Sequence, residues 1–278
     1  NAEGTILWSW HIWVSAEDPT ANLMSYTYTP AECESHSFQF MDRNLGALSA
    51  ELGTAAVNGC FYQWGRKDPF PGPNYDGTIK AIYNNNGEAT EIATETVSAE
   101  NNIETAIQNP MTRYNGVSAG NYGWVTKDIA KISKDIVFDL WGGVSKKKSM
   151  YDPCPAGWRV PDGGSNGIWS KAGFDDTTYD STNEGISFSI SSPSKTWYPA
   201  SGSRSYYDGG LNNVGSSGSY WSASPDSNYA YRLFFYSQRA AIQRDLPMNF
   251  ARPGIGYFLC RCGAPGSICC QQLVEMSF

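Results

Sequence analysis

Ala230-Tyr231-Arg232-Leu233-Phe234-Phe235-Tyr236-Ser237 is the stretch from which the fold is read. Along a strand, successive side chains point to opposite faces. Tyr231, Leu233 and Phe235 then share one face, and Arg232, Phe234 and Tyr236 share the other. The first face suits a core; the second is expected to display an arginine and two aromatic rings. The same grammar repeats from Gly185 onward, where 186–190, 196–200, 219–224 and 256–262 read as strands. Asp208-Gly209-Gly210 and Ser216-Ser217-Gly218 break them as turns.

Working backward, 168–172 reads as a short helix, and Asp152 to Pro161 as a rigid turn pinned by three prolines. Lys146-Lys147-Lys148 reads as a solvated basic cluster. Residues 74–122 are rich in Asn, Thr and Glu, and read as a partly regular surface insertion. The segment 60–66 suits a short helix, 37–41 a strand, and the aromatic run 6–14 a strand buried on at least one face.

Composition limits the function classes. The chain has 278 residues, 41% hydrophobic and 14% aromatic, with 28 Gly and 15 Pro, as expected of a globular, loop-rich protein. A net charge of −7 disfavours nucleic acid as a partner, because phosphates are repelled by an acidic surface. From residue 200 onward six Arg and no Lys face four acids, a local +2 that leaves −9 on the first 199 residues. Those late arginines stand among Tyr, Phe and Trp, the mixture that recognition surfaces use. No apolar run is long enough to span a membrane. A chain opening on Asn1 rather than Met is expected to be a fragment whose export signal or anchor lies elsewhere.

The seven cysteines (Cys33, Cys60, Cys154, Cys260, Cys262, Cys269, Cys270) match no zinc spacing, and their odd number leaves at least one free thiol. Of the two histidines, His11 lies in an apolar run and His36 in a polar loop, neither in a catalytic motif. Asp175 and Asp176 are adjacent, so they cannot flank a substrate as acid and base. Residues 180–185 carry oxygen donors, but Ser191 stands where an EF-hand needs Glu. No cofactor is expected, and a structural calcium stays open.

Five motifs occur in order: Met41-Asp42-Arg43-Asn44-Leu45-Gly46-Ala47; Tyr62-Gln63-Trp64-Gly65-Arg66; Asp152-Pro153-Cys154-Pro155-Ala156-Gly157-Trp158-Arg159-Val160-Pro161; Gly215 to Ser224; and Arg261-Cys262. Together, from about residue 4 to 264, they resemble the Fibrobacter succinogenes major paralogous domain family of Bacteroidetes surface proteins. The resemblance implies an α+β, C-type-lectin-like fold: a small twisted antiparallel sheet, two short helices and long irregular loops. It implies one domain over 1–265 with the insertion at 74–122, followed by a tail at 266–278 that departs from the family ending. It also implies an extracellular, C-terminal domain of a Bacteroidales surface or pilus-tip protein, bound to an upstream domain or pilus subunits. Related proteins are targets of diversity-generating retroelements, which would vary the region around 228–255.

The family pattern pairs Cys154 with Cys262, although Cys260 leaves Cys154–Cys260 open; Cys33–Cys60 is a further candidate bridge. The long loop so closed is worth roughly 4–5 kcal/mol in the chain-entropy model. Trp64, Trp158 and Trp221 are expected in the core, and Asp42-Arg43 and Arg159 in an internal ion pair or in hydrogen bonds to loop backbones. The function expected is adhesion to a host or bacterial surface glycan or protein, without catalysis. The expected ligand-binding residues are Arg232, Phe234, Tyr236, Arg239, Arg244, Asn249 and Arg252. A structural pilus subunit that polymerises by strand exchange is the alternative. A formylglycine-generating-like enzyme using Cys260 and Cys262 is a remoter one.

Overall fold

The computed structural model describes residues 4–28, 36–74, 76–98, 101–115, 123–125, 139–164, 167, 169, 178–188, 196–205, 208–226, 229–237, 239–243, 248–249 and 257–259. In chain order, β1 (Met24–Tyr28) pairs antiparallel with β2 (His36–Phe40). A single 3-10 turn precedes the two-residue strand β3 (Phe61–Tyr62). β4 (Ile82–Tyr83) and β5 (Ala89–Thr90) form a hairpin. β6 (Ala93–Thr96) and β7 (Thr112–Asn115) run parallel, with helix α1 (Ile103–Gln108) between them. β8 (Tyr179–Asp180), β9 (Gly185–Phe188) and β10 (Thr196–Pro199) make a three-stranded antiparallel sheet. β11 (Ser203–Arg204) pairs with β12 (Leu211–Asn212).

The largest sheet is assembled from β13 (Ser217–Asp226), β14 (Tyr229–Tyr236), β15 (Arg239–Gln243), β16 (Met248–Asn249) and β17 (Tyr257–Leu259), with β3 on its far edge. Its order is β15-β14-β13-β17-β3, with β16 also on β14. The late strand β17 thus lies between β13, which it meets in parallel, and the early strand β3. The β13–β14 ladder slips between Trp221 and Pro225, where a proline without an N–H cannot keep the register.

Core clusters form on both faces of this sheet, and alternation decides which side chain goes where. Phe61, Tyr220, Leu233 and Phe235 enter one core cluster with Phe40, Ile186 and Tyr198. Their sequence neighbours Tyr62, Trp221, Ala223 and Ala230 enter a second cluster with Met41, Trp64, Trp141 and Cys154. As expected, Trp64 and Trp221 are core: their indole N–H groups donate to Ser222 O (2.8 Å) and Tyr62 O (3.3 Å).

Small antiparallel sheets dominate the described residues, with very little helix. Three expectations need correcting. The segment 60–66 is not a helix but β3 and a turn, with Gly65 at φ +81°. The 74–122 segment is not merely a surface insertion: Val97, Ile103, Ala106 and Tyr114 build a third core cluster with Trp124, Val125 and Leu140. Arg66 locks it in place, donating to the carbonyls of Asn109 (3.0 Å), Pro110 (3.2 Å) and Thr112 (2.6 Å) beyond α1. Lys148 is not simply solvated, since its ammonium bonds Asp152 Oδ1 (2.9 Å) and Cys154 O (2.6 Å). The helix expected at 168–172 falls largely outside the described residues, as does the 266–278 tail. No helix among the described residues is long and apolar enough to cross a membrane.

Candidate functional site

β14 carries the described part of the expected binding face. Arg232 stands opposite Trp221 on β13, and its guanidinium lies over the Phe234 ring, 4.2 Å from the centroid. Its Nη1 donates to Ser219 Oγ at 2.9 Å. Phe234 and Tyr236 meet edge to face, with centroids 4.3 Å apart. Tyr236 is 43% exposed, but Phe234 only 7%. Phe234 is therefore not displayed as expected. Its same-face neighbours two residues away, Arg232 and Tyr236, lie across it, so it serves as their platform. The register places Arg239 opposite Tyr236 and Asn249 opposite Tyr229. The side chains of Arg239 and Asn249, and the whole of Arg244 and Arg252, lie outside the described residues.

The Asp-Pro-Cys-Pro turn is a brace. Cys154 is disulfide-bonded, while Cys260 and Cys262, its two expected partners, lie outside the described residues. Cys60 is a free thiol, which removes the expected Cys33–Cys60 bridge. Burial pushes the Cys60 thiol up to about 11. The buried Asp152 carboxylate accepts the amides of Cys154 and Val160, each at 2.9 Å. Burial raises its pKa, opposed by the charge of Lys148. Arg43 grips Asp42 through two hydrogen bonds (2.6 and 2.9 Å) and donates to Leu48 O (3.2 Å), while Arg159 bonds Asp162 at 2.5 Å and Val160 O at 3.4 Å, so each arginine makes both an ion pair and a backbone bond. The Asp180 carboxylate is occupied by the amides of Thr182 and Asn183. Among the described residues no group of three or more His, Cys, Asp and Glu is placed to hold a metal.

A second concavity lies along the opening aromatic run. Every other residue there is tied inward. Ser9 Oγ donates to Asp68 (2.6 Å), the Tyr62 hydroxyl meets His11 Nδ1 (3.2 Å), Trp13 Nε1 donates to Ala47 O (3.0 Å), and Ser15 Oγ donates to Leu48 O (3.3 Å). Lys67 sits over the Trp8 ring at 4.5 Å. Partial desolvation lowers the pKa of the exposed His11, opposed by Asp68. The intervening residues face out: Trp10 is 78%, Ile12 81% and Val14 76% exposed. The run is not the strand expected: it joins no sheet, none of its residues is buried, and Trp10, Ile12 and Val14 stand bare, because its polar anchors go to side chains and loop carbonyls rather than to a ladder.

Trp8, Trp10, Trp13 and Trp158 line an open cleft of about 750 Å³. Trp158, expected in the core, is only partly buried and forms one wall of it. Glu17 and Asp18 add carboxylates to the lining. Glu17 accepts from Arg43 at 2.9 Å, yet its side chain is 68% exposed. Asp18 accepts from the Thr20 hydroxyl (2.7 Å) and amide (2.8 Å), which hold its pKa below the usual value.

No protein-family model, curated protein or solved structure matches the chain. The cleft was not read from sequence. A signal for it existed: Trp8, Trp10 and Trp13 are too many large indoles for one strand to bury.

Proposed function

We propose that this chain is a non-catalytic, extracellular ligand-binding domain of the adhesin type with a C-type-lectin-like fold. It recognises a surface glycan or protein through the Arg and aromatic face of its last strands. The observation that carries this reading is the setting of Arg232. Its guanidinium is laid over Phe234 and tied to Ser219, beside the open ring of Tyr236. A guanidinium held in that way offers directional hydrogen bonds without first losing side-chain freedom, and the tyrosine adds rigid contact area. The fold assignment is supported by small antiparallel sheets, scarce helix and a late strand returning to an early one. The test is a screen of the chain against immobilised glycans and host surface proteins, repeated with Arg232→Ala. If every captured ligand binds the Arg232→Ala chain undiminished, the face is refuted as the site.

One observation favours a structural subunit instead. The run Ile6 to Val14 forms no ladder and bares Trp10, Ile12 and Val14. Apolar backbone left without a ladder can be taken up by a neighbour's strand. On that reading purified full-length protein forms filaments in electron micrographs, and Ile12→Lys with Val14→Lys abolishes them. Intact monomers without filaments favour the adhesin.

A further inference from the structure

We propose that the tryptophan-lined cleft is a second binding site, separate from the β14 face, and that it takes a neutral glycan. A pyranose ring has an apolar C–H face and a rim of hydroxyls. The cleft offers the complement of both. Trp8, Trp10, Trp13 and Trp158 supply flat apolar rings, and Glu17 and Asp18 supply hydroxyl acceptors. Trp10 leaves 78% of its surface in water, an exposure that marks a surface meant to be covered. The volume of about 750 Å³ lies within the roughly 300–1,000 Å³ of small-ligand sites.

Charge narrows the class. The lining lysine, Lys67, is already committed to Ser9 O (3.0 Å), Asp68 Oδ1 (2.6 Å) and the Trp8 ring (4.5 Å). The carboxylates of Glu17 and Asp18 repel sialylated or sulfated sugars. The anchors at Ser9, His11, Trp13 and Ser15 fix the cleft wall before a ligand arrives, which lowers the ordering cost of binding. An extended peptide would instead pair with the bare edge at Ile12 and Val14, residues that do not line the cleft.

The experiment uses the full chain on a printed array of mannose-, galactose- and N-acetylglucosamine-terminated neutral glycans, beside sialylated and sulfated ones. The brightest neutral oligosaccharide is then titrated by tryptophan fluorescence. Trp10→Ala should weaken it by about tenfold or more at an unchanged melting temperature, with Trp10→Phe recovering most of the affinity. Ile12→Lys and Arg232→Ala should leave it unaltered. The proposal is overturned if no neutral glycan binds, if only acidic glycans bind, or if Trp10→Ala binds like the parent chain. It is equally overturned if Ile12→Lys abolishes binding, the mark of a peptide-type edge, or if Arg232→Ala does, which would move the sugar to β14.

Discussion

Replacing Arg66 with alanine empties the joint between the Tyr-Gln-Trp-Gly-Arg motif and the segment around α1. Arg66 is fully buried, and burial lowers its pKa to about 10, opposed mainly by Asp68. Its guanidinium donates to Gln63 Oε1 (3.1 Å) and to the carbonyls of Thr112, Asn109 and Pro110 (2.6, 3.0 and 3.2 Å). It also lies 5.0 Å from the Phe70 centroid and 5.6 Å from that of Tyr114. The substitution leaves three carbonyls without this donor, at about 1 kcal/mol or more each. It also strips Asp68 of one cation, although Lys67 remains on it at 2.6 Å. Release of the buried charge offsets part of the loss. The net destabilisation should be on the order of 3–5 kcal/mol, the range for breaking a buried ion pair from one side. Arg66→Lys should fall between, because one ammonium cannot reach all the carbonyls. Urea unfolding followed by tryptophan fluorescence reads the change as a shift in midpoint at constant slope. Hydrogen exchange should show the amides of α1 losing protection first. A midpoint shift equivalent to less than about 1 kcal/mol would refute the assignment of Arg66 as the joint.

Gly142 has φ +71°, and a Cβ there would stand 1.6 Å from Lys147 O, so Gly142→Ala should destabilise by about 3 kcal/mol or more in the same urea assay. Cys60, half-buried with its pKa raised to about 11 by desolvation, should react with iodoacetamide more slowly in the native chain at pH 8 than in urea, read by peptide mass spectrometry. His11 has its pKa lowered from 6.5, so just below that value the unfolded chain binds more protons than the folded one. Stability should therefore rise with pH through that window and be lost as pH falls through it. His11→Gln should flatten the slope seen by melting temperature against pH.

The late strands were legible because alternation is a local signal. Leu233 and Phe235 enter one core and Ala230 the other, as period two demands, and β13 and β14 fall where the aromatic runs stand. The early half was less so. Around α1 the core rests on Val97, Ile103, Ala106 and Tyr114, spread among Asn, Thr and Glu with no repeating period. What buries that polar stretch is the side chain of Arg66, distant in sequence. Residues 60–66 have the composition of a short helix yet form a strand and turn, because composition does not announce a positive φ at Gly65. At the candidate face, alternation correctly put Arg232, Phe234 and Tyr236 together, but it could not tell a displayed ring from a supporting one. That distinction depends on how Arg232 folds back over Phe234, a matter of rotamer rather than sequence. Residue type places Trp158 in the core, and it does pack against the second cluster, but its outer face also walls the cleft.

The measurement that bears most directly on the account takes a glycan or protein partner whose capture survives Trp10→Ala and reads its affinity for an Arg232→Ala/Tyr236→Ala double variant, with folding verified by near-ultraviolet circular dichroism. A folded variant that has lost most of its affinity is the predicted result. A folded variant that holds its partner as tightly as the parent contradicts the claim that β14 presents the recognition surface.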